Sequence, residues 1–132
     1  MLCLIVPLLS MTMENDRAKF IGKWIGQDGK EIGYLNFDSE GYAYFKIEEQ
    51  IFGGKEFFFD GKKGKMTYEI KNKENPIQLD LIITILESGE QEKFLCIAEF
   101  IDNDTMKFAM TFKSKRPTEF NSENSILFKR TK

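Results

Sequence analysis

A chain of 132 residues, 42% hydrophobic and 30% charged, has the length and balance of one soluble globular domain. Its net charge of −2 argues against a nucleic-acid binder, which needs a basic face to displace counterions. The complete lack of histidine removes the usual general base near neutral pH, the Ser-His and Cys-His nucleophile pairs, and imidazole-held zinc.

The first element is an apolar run, Leu2 to Leu9, too short to span a bilayer and similar to the core of a secretory signal. No basic residue precedes it, the first being Arg17. Two readings stand: a signal whose basic leader is missing, or a segment that packs on the domain. The first is favoured. It sets residues 1–13 apart from a domain over 14–132 and implies an exported protein. Next, Glu14 to Lys19 reads as a single helical turn that Asn15 or Asp16 could cap.

From Phe20 onward the pattern is β. Short apolar runs are punctuated by Asp28-Gly29, Asp38 to Gly41, Gly53-Gly54, Asp60-Gly61 with Gly64, Asn75-Pro76, Ser88-Gly89, Asp102 to Asp104, Arg116-Pro117 and Asn121 to Asn124. Met66, Tyr68 and Ile70 alternate with Lys65, Thr67 and Glu69, and Met106, Phe108 and Met110 with Lys107 and Ala109, as half-buried antiparallel strands do. Ile77 to Leu86 is apolar on both faces, so its outer side needs a cover, for which the N-terminal turn is one candidate. About eight strands at hairpin spacing predict an all-β chain: a single antiparallel up-and-down barrel, whose closure removes both edges.

Gly22-Lys23-Trp24 at the first strand resembles the G-x-W signature of lipocalins and their relatives. Arg130, in the last strand, matches the basic residue that in those folds crosses the tryptophan ring and closes the barrel. Asn75-Pro76 with Asp80, Asp104 to Phe108, Arg116-Pro117-Thr118-Glu119-Phe120 and Leu127 to Arg130 are similar to a family of uncharacterised, mostly exported bacterial lipocalin-like domains. The resemblance covers roughly residues 20 to 130 and implies a fold, with Gly22, Trp24 and Arg130 as closure residues, but no function. The chain departs from fatty-acid-binding proteins, since the short Gly26–Gly33 stretch leaves no room for their helical lid.

Alternation places Tyr34, Tyr44, Tyr68, Phe94, Phe108 and Met110 inside the barrel, where they would line an apolar mouth with Arg116 as its one cation. Cys96 and Ala98 between Phe94 and Phe100 could leave a gap there. Arg116 and Glu119 could instead pair with each other or with the backbone and fix their loop under the barrel, with Phe120 as a plug. Asp80 and Glu99 are expected within about two residues of facing each other across the Ser88-Gly89 hairpin. They would form an acid–base pair or, as favoured, a polar outer face. Lys62, Lys63 and Lys65 beside Phe57, Phe58 and Phe59 could grip a single strand or a lipid headgroup, but are read as a solvated hairpin tip. Cys96 reads as a small buried hydrophobe, with a disulfide to Cys3 left open. The expected function is non-enzymatic binding of a small apolar molecule, without cofactor or metal, by a monomer that spans no membrane. The alternative is a protein-interaction module, an inhibitor or immunity-type partner with a filled core. It would act through loops at Asp38 to Gly41, Gly61 to Gly64 and Arg116 to Asn124.

Overall fold

The computed structural model describes residues 17–27, 32–111 and 115–131, so residues 1–13 and the first half of the expected helical turn, residues 14–16, lie outside the described part. The fold is all-β. The strands are β1 (Gly22–Gly26), β2 (Ile32–Phe37), β3 (Ala43–Ile47), β4 (Gln50–Gly53), β5 (Phe57–Phe59), β6 (Lys62–Asn72), β7 (Ile77–Ile85), β8 (Gln91–Asp102), β9 (Thr105–Thr111) and β10 (Ser125–Arg130). Their order, β4-β3-β2-β1-β10-β9-β8-β7-β6-β5, is a meander in which the last strand pairs with the first. Every pairing is antiparallel.

Ten strands stand where about eight are expected, and the excess is the short pair β4 and β5. The sheet closes between β3 and β6, through the Tyr42–Thr67 bridge and a hydrogen bond from Tyr68 N–H to the Gly41 carbonyl. Beyond that bridge the two strands part, and the segment 50–59 fills the wedge. Its first half pairs with β3 and its second with β6. The kink between the halves is held by Gly54, whose N–H donates to the Ala43 carbonyl and whose carbonyl accepts from Met66 N–H.

Alternation sorts the side chains. Leu35, Phe37, Ala43, Phe45, Met66, Tyr68, Leu79, Leu81, Ile83, Phe94, Cys96, Ala98, Met106, Phe108 and Phe128 form one buried interior cluster with Trp24. Small residues face large ones, Ala98 opposite Phe108 and Cys96 opposite Met110. The expected gap is thereby filled, and both small residues have no exposed surface. On the outer side of β7 to β9, Asp80, Ile82, Ile97 and Ala109 are buried as well. Arg116, from the β9–β10 connection, reaches this side. The described end of the N-terminal turn leads elsewhere, since Phe20, which follows it, enters one end of the barrel.

That end is capped. Phe20 packs on Phe37 and Phe100 at 5.4 and 4.9 Å between ring centroids, and its carbonyl accepts from the Trp24 indole N–H at 2.8 Å. The Arg130 guanidinium lies 4.2 Å from the Trp24 ring centroid. It donates to the carbonyls of Ile21, Lys19 and Asn103 and pairs with the Asp104 carboxylate at 3.3 Å. Because one side chain ties together β10, the entry to β1 and the β8–β9 turn, Arg130→Ala is expected to cost about 2 kcal/mol through lost cation–π attraction and orphaned carbonyls. Urea denaturation followed by Trp24 fluorescence measures it.

Candidate functional site

The end opposite the Trp24 cap carries the turns Glu48-Glu49, Asp60-Gly61 and Leu86 to Gly89. Here β4 and β5 supply rings to the inside. Phe52 sits at the centre of a cluster, 5.0 Å from Phe45, 4.8 Å from Phe57, 5.9 Å from Phe59 and 6.1 Å from Phe94. Phe45 and Phe94 form a buried floor, whereas Phe52, Phe57 and Phe59 are half-buried. Ile47, Met110 and Ile126 are also only partly covered while packing on the core. The barrel therefore presents a shallow apolar mouth over a solid interior. The Asp60-Gly61 turn sets the register that aims Phe57 and Phe59 inward. Both residues take positive φ, 52 and 76°, as a two-residue hairpin of the I′ kind requires.

The residues expected to line a pocket divide. Tyr68, Phe94 and Phe108 are buried in the core and Met110 lies at its edge. Tyr34 and Tyr44 are on the outside, a correction. A register shift between Ile32 and Tyr34 in β2 puts Leu35 and Phe37 inside, and in β3 Ala43 and Phe45 take the interior. Tyr68 spends its hydroxyl on the Asp38 carbonyl at 2.9 Å, and burial raises its pKa against the opposing effect of Arg17.

Arg116 also lies outside, on the flank of β7 and β8. Its guanidinium donates to the Asp80 carboxylate at 2.7 Å and to the carbonyls of Leu79 and Cys96 at 3.1 and 2.9 Å. Asp80 is 2% exposed, with the Lys93 ammonium 3.9 Å from its other oxygen. The expected Arg116–Glu119 pair is replaced by this one. Glu119 is exposed and makes no ion pair among the described residues. Phe120 is no plug: it sits on the outer flank, 5.8 Å from the Lys107 ammonium. Asn121 and Asn124 knit the rest of the connection, each accepting backbone N–H bonds from the other's neighbourhood.

The expected Asp80–Glu99 juxtaposition does not form. Ile85 pairs with Glu90 around the turn, which places Leu95 opposite Asp80, while across the β8–β9 hairpin Glu99 faces Lys107. The hairpin is centred on Glu87-Ser88 rather than on Ser88-Gly89. The triple phenylalanine likewise splits. Phe57 and Phe59 turn inward, and Phe58, opposite Lys63, is 69% exposed. Cys96 is a free thiol buried in the wall. Burial pushes its pKa up, opposed by Arg116 and reinforced by Asp80, so it stays protonated and inert.

A cleft of about 370 Å³ beside the cap is lined by Lys19, Phe100, Asn103, Asp104 and Arg130, but the Arg130 guanidinium is already committed to Asp104 and backbone carbonyls. Among the described residues no group of three or more Cys, Asp or Glu could hold a metal ion, and no helix is long and apolar enough to cross a membrane. Compared with known protein families, curated proteins and solved structures, the chain matches none.

Proposed function

We propose that this exported, lipocalin-like barrel is a non-enzymatic binding protein that takes a small apolar molecule at its mouth. The observation that carries this reading is the asymmetry of the two ends. One is sealed by Phe20, Trp24 and Arg130, whereas the other leaves Phe52, Phe57 and Phe59 half-covered beside Ile47 and Met110. Stable interiors bury such rings, and concave sites lined by aromatic side chains favour apolar ligands. The filled floor limits the ligand to one that lies across the mouth. The same filled interior supports the second reading, a protein-interaction module, which would work through the outer walls and loops.

Titration with 1-anilinonaphthalene-8-sulfonate, followed by competition with fatty acids, tests the proposal. Saturable one-site binding that Phe59→Lys abolishes is expected, with Trp24 fluorescence at the far end reporting an intact fold. Absence of saturable binding, or binding unchanged in both Phe59→Lys and Phe57→Ser, transfers the weight to the second reading.

A further inference from the structure

Outside the barrel, the register lines up one straight row across five strands: Lys129 opposite Ile25, Ile25 opposite Tyr34, Tyr34 opposite Lys46, and Lys46 opposite Ile51. Lys23 lies diagonal to Tyr34, with its ammonium 4.1 Å from the ring centroid, and the Lys46 ammonium is 5.9 Å from the same ring. Tyr44 meets that ring edge-on at 6.1 Å. From β10 through β1 and β2 to β3, the outward positions hold three lysines and two tyrosines and no Asp or Glu. This occurs in a chain with a net charge of −2. Among the described residues neither Lys23 nor Lys129 lies within 4.0 Å of a carboxylate, and Lys46 reaches only Glu49, 96% exposed, at 4.0 Å. Asp102, at the end of β8, is the nearby acid that feels Lys129.

We propose that this wall is a docking surface for an extended acidic peptide segment of a partner protein. The two ammoniums resting on Tyr34 are held in place by cation–π attraction, which lowers the ordering cost of a contact with carboxylates. Lys129 and Lys46 stand three strands apart, about 14 Å, and an extended chain carries side chains of one face about 7 Å apart. Carboxylates on alternate residues, which project from one face of such a segment, thus match the spacing of Lys129 and Lys46. A single-stranded nucleic acid fits less well. Its bases need a free aromatic face, and the Tyr34 face is occupied by Lys23. A lipid surface fits less well too, because a flat bilayer touches a convex barrel wall along a narrow line and this row runs around the wall.

Fluorescence anisotropy with a fluorescein-labelled peptide of alternating glutamate and leucine tests the proposal at low and physiological salt. The full-length protein is expected to bind it more tightly at low salt. The double reversal Lys23→Glu/Lys46→Glu, and separately Lys129→Glu, should weaken binding by about tenfold or more, while Lys62→Glu/Lys63→Glu at the hairpin tip leaves it unchanged. Circular dichroism checks that each variant is folded. Equal affinity in the wall variants overturns the proposal. So does tighter binding of oligodeoxythymidylate or of phosphatidylcholine–phosphatidylserine vesicles, or equal binding of a lysine–leucine peptide. The mouth plays no part in this test, so its outcome is independent of the apolar-ligand reading.

Discussion

Arg116→Ala is expected to lower stability by about 3–4 kcal/mol, more than any other surface-facing substitution in the barrel. The cause is Asp80, 2% exposed and held by the Arg116 guanidinium at 2.7 Å. Removing the guanidinium leaves a buried carboxylate whose remaining cation, Lys93, is 3.9 Å away on a side chain that is 43% exposed. Solvent screens that pair, so it offsets little of the desolvation. The carbonyls of Leu79 and Cys96 lose a donor in the same step. Pairing the change with Asp80→Asn removes the stranded charge. The double variant should therefore be more stable than Arg116→Ala alone. Urea titrations of the wild type, both single variants and the double variant complete the cycle. A loss under about 1 kcal/mol for Arg116→Ala would mean that the ion pair is merely peripheral.

The second large effect is expected at Gly53, where the strand that fills the wedge bends. Its φ is +113°, and a Cβ there would come within 2.6 Å of the Ala43 carbonyl oxygen and 2.5 Å of the Met66 methyl carbon. Gly53→Ala therefore combines backbone strain with a clash against a carbonyl that β3 cannot move without breaking its pairing. The expected loss is about 2–4 kcal/mol. Gly61→Ala is the control. Its φ is +76° with nothing within 4 Å of the added atom, so it bears strain alone, at about 1 kcal/mol. Thermal denaturation of both variants separates close approach from conformation. Equal losses would assign the Gly53 effect to conformation only.

Much of this architecture is legible in the residues. Turn chemistry every ten or so positions and the alternation around Met66-Tyr68-Ile70 and Met106-Phe108-Met110 lead directly to an antiparallel meander. The parts that escape share a physical origin: period two assigns residues to alternate faces but does not say which face is inside. In β2 the shift after Ile32 reverses the phase, so Tyr34 goes out while Leu35 goes in. A hairpin's centre is equally invisible when several residues could turn. Glu87-Ser88 and Ser88-Gly89 can both do so, and the choice decides whether Asp80 faces Leu95, as it does, or Ile97. The Asp80–Arg116 pair joins residues 36 apart, which no local pattern encodes, although a lone carboxylate in an apolar strand signals the need for a cation. The Lys129–Ile25–Tyr34–Lys46–Ile51 row spans strands from both halves of the sequence and emerges only once register is known. The aromatic mouth is partly readable: Phe57-Phe58-Phe59 marks the place, but the bend at Gly53-Gly54 decides that two of the three rings turn inward.

The pairing of β1 with β10 has a consequence for how the protein is made. Every other strand ladder joins consecutive segments, and even the β3–β6 contact at Tyr42–Thr67 spans only a short stretch of chain, so hairpins can form as the polypeptide emerges. Trp24 must wait for Arg130, more than a hundred residues later, before its ring is covered and the seam is zipped. Until the last strand is released, the nascent meander exposes an open edge and a bare indole, the kind of surface that holdase chaperones recognise. Closure is thus a late step with a high loop-entropy cost. A transcript cut just before β10 should yield a chain that collapses into hairpins yet stays prone to aggregation.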